Sequence, residues 1–173
     1  MLKILHQIAS IGISTELTPR ADESLRIRDA LQDRIRDTLG RALCIRHIDA
    51  GSCNGCELEI HALNNAVYDI ERFGMKFAAS PRHADVLLVT GPVTNNMKVA
   101  LERTYAATPD PKWVVAVGDC GCGCGVFEGS YAVVGAVDKV IPVDLHIRGC
   151  PPRPIDLLRG LIALVDKAAA KAG

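Results

Sequence analysis

Aromatic residues are scarce in this 173-residue chain: one Trp, three Tyr and three Phe amount to 4% of it. Its core must therefore be aliphatic, and runs of Val, Ile, Leu and Ala supply one, with 49% of the residues hydrophobic. That share, beside charged residues at an ordinary 23%, excludes a wholly disordered chain. Net charge is lacking too. Twenty acidic residues balance twenty basic ones without a run of like sign, so nothing favours nucleic acid or an anionic lipid surface. A chain with so little self-repulsion suits life inside an assembly. No apolar run approaches the roughly 20 residues that a membrane-spanning helix needs. Residues 1–14 lack the long apolar stretch and cleavage site of a secretory signal, and a cytoplasmic location is expected.

Cysteine, by contrast, is plentiful. Seven is an odd number, so any set of disulfides leaves at least one over. In a reducing compartment clustered cysteines read as metal ligands before they read as disulfides.

The chain divides near residue 43. Residues 1–20 have no clear period and read as an arm. From Asp22 to Leu43 the apolar residues Leu25, Ile27, Ala30, Leu31, Ile35, Leu39 and Leu43 recur mainly at i, i+4. That spacing predicts an N-terminal amphipathic helix, packed on its own domain or on a partner. Residues 1–43 are thus expected as arm and helix, and 44–173 as the metal-binding domain. Within the latter, strands are expected at Cys44–Asp49, Asp85–Thr90, Trp113–Val117 and Val140–Val143. Helices are expected at Glu57–Phe73, Asn96–Ala107 and from Pro154 to Lys171, the last with its Pro in the first turn. The runs DVLLVT and WVVAV are unbroken, as in strands buried on both faces of a parallel sheet. Alternation of this kind predicts an α/β fold with a mostly parallel sheet and flanking helices.

Ligands of such sheets gather at the carboxyl ends of the strands. The cysteines lie there: Cys53 and Cys56 after the first strand, Cys120, Cys122 and Cys124 after WVVAV, and Cys150 after the strand-like stretch from Ile141 to Ile147. Cys53 and Cys56 form a C-x2-C pair, with Gly51 and Gly55 freeing the backbone around them. The positive end of the following helix faces the same anionic site. Cys120 and Cys150 bring the thiolates to four, which suits a [4Fe–4S] cluster or a tetrathiolate zinc site. Ligands arriving as one pair and two singletons, and a Pro directly after Cys150, favour the cluster. Cys122 and Cys124 compete with Cys120 for the third position, since a Gly-rich loop can present any of them; Cys120 lies nearest the strand end. Cys44, inside the first strand, reads as a buried, inert thiol.

Four runs in this order, GSCNGCELEI, SPRHADVLLVTGPVTNNM, PDPKWVVAVGDC and VDLHIRGCPPRP, resemble the small electron-transfer subunit shared by [NiFe] hydrogenases and respiratory complex I. The resemblance spans about residues 44–165. It is strongest to the membrane-bound, energy-converting hydrogenases, including the small subunit of formate hydrogenlyase. In complex I the matching subunit carries two adjacent cysteines, whereas Cys53 and Cys56 here have the hydrogenase-like spacing. The resemblance implies a flavodoxin-like fold and one [4Fe–4S] cluster on Cys53, Cys56, Cys120 and Cys150. It implies a Ni–Fe large subunit, or its complex I homologue, and a ferredoxin-like subunit as partners. It also implies a peripheral place on the inner face of the cell membrane through further subunits. It puts an acidic residue at Glu59, for proton transfer or the subunit interface; an acid favouring the helix dipole is the plainer reading. His47, His61, His83 and His146 carry no motif. Two other readings remain: a complex I-type subunit serving quinone, and a binding module held by zinc.

Overall fold

The computed structural model describes residue 35 and residues 40–172. The expected arm, and nearly all of the expected helix over 22–43, lie outside the described residues. Ile35 itself is helical and buried in the main core.

The strands in chain order are β1 Leu43–Asp49, β2 Met75–Phe77, β3 Val86–Thr90, β4 Val93–Thr94, β5 Trp113–Val117, β6 Val133–Gly135 and β7 Leu145–Ile147. The helices are α1 Gly55–Ala62, α2 Asn95–Ala107, α3 Gly118–Gly123 and α4 Pro154–Ala172. Five strands form one parallel sheet in the order β2-β1-β3-β5-β7, while β4 and β6 pair antiparallel beside it. Among the five, that is the flavodoxin-like order, whose switch point lies between the first strand and the third.

Period-two alternation explains why β3 reads as an unbroken apolar run. Val86 and Leu88 point into a core with Ile60 of α1 and Leu157, Leu161 and Leu164 of α4. Leu87 and Val89 point the other way, onto Leu101 of α2 and onto Val137 and Ile141. One polar pin closes the amino end of the sheet. The buried Asp85 carboxylate accepts 3.0 and 2.5 Å hydrogen bonds from Arg41 and a 2.9 Å bond from the Cys44 amide.

Two expected elements differ. The helix after Cys56 stops at Ala62, not Phe73. Asn65 Oδ1 accepts 2.9 Å bonds from the N–H groups of Val67 and Tyr68, an Asx turn that competes with further helix. A short 3-10 turn, Ile70–Phe73, then leads through Gly74 into β2, which sequence reasoning missed. The strand expected at Val140–Val143 does not form. The N–H groups of Val140 and Ile141 turn back onto the Val137 carbonyl, and Pro142 has no N–H to pair. Pairing starts later, at Leu145 beside Val115, where Asp144 accepts a 2.9 Å bond from the Val114 amide.

Leu88 is fully buried in the central strand, so Leu88→Ala should cost about 2–5 kcal/mol through lost burial and a cavity. Denaturant titration would show it as a lower midpoint, against Lys98→Ala on the exposed face of α2 as a control expected within about 0.5 kcal/mol.

Candidate metal centre

The loop after β1 is wound by its own polar groups. Asp49 Oδ1 accepts 2.8 Å bonds from the amides of Gly51 and Ser52, and Ser52 Oγ accepts from the Asn54 amide at 3.1 Å. Asn54 takes a left-handed conformation, φ 71°, and α1 begins at the next residue. Cys53 and Cys56 therefore flank the first turn of a helix. The loop after β3 presses on this turn: a Cβ on Gly91 would come within 2.5 Å of the Ser52 amide nitrogen.

The other two loops are clamped to each other. The Asp119 amide donates to the Gly149 carbonyl at 2.9 Å, and Asp119 Oδ1 accepts from the Gly149 amide at 3.0 Å. This pair of bonds binds the segment carrying Cys120 to the segment carrying Cys150. Close packing brings them onto the first loop. A Cβ on Gly118 would lie 2.6 Å from Cys56 Sγ, and one on Gly125 would lie 3.0 Å from Cys120 Sγ.

Four thiols consequently share one field. Burial, then Glu57, then Cys53, Cys120 and Cys150 push the Cys56 thiol up to about 12. Burial, then Cys150 and Cys53, raise Cys120. Cys53 and Cys150 are exposed, so the site opens at the surface. Such a set repels itself when ionised and needs positive charge at its centre; a metal centre supplies it by displacing the protons. Among the described residues no three Cys, His, Asp or Glu side chains are arranged to hold a single metal ion.

The remaining thiols lie elsewhere. The run GDCGCG, expected as a loop, is helical as α3. At about 100° per residue, Cys120 and Cys122 leave a helix in nearly opposite directions. Cys122 Sγ points to the carbonyls of Ala116 and Ile147, at 3.5 and 3.8 Å, and burial raises its thiol to about 11. Cys124, left-handed just past the helix end, lies near Glu128, Asp138 and Lys139. Cys44 is buried in β1.

Glu59 is half-buried on α1 and has no described hydrogen bond. The acid beneath the thiols is Glu57, 6% exposed, which sequence reasoning passed over. Its Oε1 accepts a hydrogen bond from Thr90 Oγ1, and its Oε2 is buried with no hydrogen-bond partner. His47 Nε2 lies 3.1 Å from Thr90 Oγ1 and 3.7 Å from Glu57 Oε1. Helical register held the signal: Glu57 sits three residues before the buried Ile60, on the same face. His61, His83 and His146 are exposed.

Burial holds His47 below its ordinary value, partly offset by Glu57. A histidine depressed in the folded state stabilises fully above the unfolded value, about 6.5, and loses that contribution as pH falls toward the folded one. Denaturation midpoints at pH 7.5 and 5.5 should show a drop on acidification that His47→Gln reduces.

Comparison with known proteins shows the family. The chain is 46% identical over 145 residues to "Probable membrane-bound hydrogenase subunit mbhJ" of Pyrococcus furiosus, covering 82% of this chain and 87% of that one. It is 42% identical over 149 residues to "Formate hydrogenlyase subunit 7" of Escherichia coli, covering 86% of this chain but 56% of that one. It is 48% identical over 114 residues to an NADH-quinone oxidoreductase subunit of Citrifermentans bemidjiense, covering 66% of each. A solved structure titled "Structure of the membrane-bound sulfane sulfur reductase (MBS), an archaeal respiratory membrane complex" contains a chain 34% identical, with a TM-score of 0.67 over 86% of this chain and 77% of that one. Residues 53–164 match the family model described as "NADH ubiquinone oxidoreductase, 20 Kd subunit". The chain belongs to that family of oxidoreductase-complex subunits.

Proposed function

We propose that Cys53, Cys56, Cys120 and Cys150 hold one [4Fe–4S] cluster. On this reading the chain relays electrons between the Ni–Fe site of a hydrogenase large subunit and a ferredoxin-like subunit of a membrane complex. The observation that carries it is the shared field of four thiols drawn from separate strand-end loops. The donor set fits: all four are free cysteines, thiolates being the usual cluster ligands.

Bound there, the cluster supplies reversible one-electron transfer. The chain's own residues do the rest. The thiolates hold the group, the amide groups at the start of α1 offset its negative charge, and the sheet beneath keeps water from its inner side. Exposed Val126, whose backbone N–H reaches Cys120, gives the open side apolar surface for a partner. Among the described residues no helix is long and apolar enough to cross a membrane; on the relay reading, attachment is through partner subunits.

The C-x2-C spacing and the hydrogenase-named relatives favour a Ni–Fe partner; the relatives named as NADH-quinone oxidoreductase subunits support the complex I-type alternative. Nickel analysis of the co-purified large subunit decides between them.

Cys→Ser at Cys53, Cys56, Cys120 or Cys150 should remove most of the iron and the reduced-cluster EPR signal from the anaerobically purified assembly. Cys122→Ser and Cys124→Ser should leave both near wild type. Retained iron in the first set, or its loss in the second, contradicts the ligand set. Gly118→Ala, which crowds Cys56 Sγ, should lower iron loading severalfold, whereas Gly123→Ala meets nothing within 4 Å and should not.

A further inference from the structure

The sheet is unfinished beside α1. β2 reaches only Phe77, opposite Ile45, while β1 runs on to Asp49. Hydrogen-bond parity shows which backbone groups this leaves over. The Cys44 carbonyl accepts from the Asp85 amide and the Ala50 amide donates to the Thr90 carbonyl, so even-numbered residues of β1 serve β3. The Leu43 amide donates to the Gly74 carbonyl and the Ile45 carbonyl accepts from the Ala78 amide, so odd-numbered ones serve β2. The amides and carbonyls of His47 and Asp49 therefore point to the edge that β2 has left. Among the described residues these groups have no backbone partner. An open edge of this kind is a template for a further strand.

The space beside that edge is already shaped. It is a notch of about 330 Å³, lined by Ile60, His61 and Asn64 of α1 and by Phe77. β2 shows what the position asks of an occupant. Met75 is buried, Lys76 exposed and Phe77 half-buried, and both apolar residues join the core that holds Ile60. Residues placed opposite His47 and Asp49 would face that same side, because side chains alternate along a strand. The occupant therefore needs an apolar side chain at every second position.

The chain before Ile35 offers such a segment. Ile35 lies against Gly74, the residue that leads into β2: a Cβ on Gly74 would stand 3.8 Å from Ile35 Cγ2. Residues 1–34 precede it. At about 3.3 Å per residue, the step from Gly74 to Phe77 is roughly 10 Å, well within reach of that length. The arm has no period over its whole extent, yet Ile11, Ile13, Thr15 and Leu17 alternate with Gly12, Ser14 and Glu16. β-Branched residues at every second place suit a strand covered on one face. We propose that residues 11–17 of this chain pair with the free edge of β1 at His47 and Asp49, continuing the line of β2, with Ile11 and Ile13 turned to α1. The arm then ties down the end of β1 that leads into the first cysteine loop. This pairing does not rest on the cluster assignment.

Hydrogen exchange of the intact assembly, purified anaerobically, reads the pairing directly. In wild type the amides of His47 and Asp49 should exchange at least about a hundredfold more slowly than in an assembly whose chain lacks residues 1–17, while Leu88 of β3 stays protected in both. Ile13→Asp in the untruncated chain should speed the same two amides at least about tenfold, and it decides the matter if the shortened chain does not assemble. Fast exchange at both amides in wild type overturns the proposal, because the edge is then bare. Protection that survives loss of residues 1–17, or that Ile13→Asp leaves unchanged, overturns it as well, because the covering strand then comes from a neighbouring subunit.

Discussion

Thiols held within one another's field repel as soon as they ionise, and the backbone around them must resist that repulsion. In this chain the resistance is shared out among polar contacts that are not themselves ligands. Asp49 winds the first loop, Asp119 ties the second to the third, and Gly118 lets Cys56 approach a neighbouring strand end. None of these residues carries redox chemistry. Each nevertheless sets where a sulfur sits, which is why positioning rests on aspartates and glycines as much as on cysteines.

Beneath the thiols lies a second layer, Glu57 with Thr90 and His47, on the side away from solvent. Burial, and then this carboxyl group one residue away, raise the Cys56 thiol, so the layer acts on the charge balance of the four thiols. Its lone buried oxygen distinguishes it from the structural pin at Asp85, where both oxygens accept hydrogen bonds.

The parallel sheet was legible because strands covered on both faces leave an unbroken apolar trace, as Val86–Val89 and Val114–Val117 do. The strand-end placement of Cys53, Cys56, Cys120 and Cys150 was legible for the same reason. What escaped was set by single polar groups or by tertiary packing. Asn65 ends a helix that apolar spacing alone would continue. GDCGCG is helical despite its glycines, and its Gly121 is buried against β3, a tertiary contact that residue spacing does not show. That helix separates Cys120 from Cys122, a distinction that a flexible loop would not make. Glu57 and Glu59 look alike in sequence, and only the register against Ile60 sorts them. β2 spans three residues, too short to show a period.

The most direct test of the central claim is chemical analysis of the wild-type assembly after anaerobic purification. The account predicts about four iron and four acid-labile sulfide per copy of this chain beyond those held by other subunits, with an EPR signal on reduction. One zinc per copy and no iron assigned to this chain would contradict it.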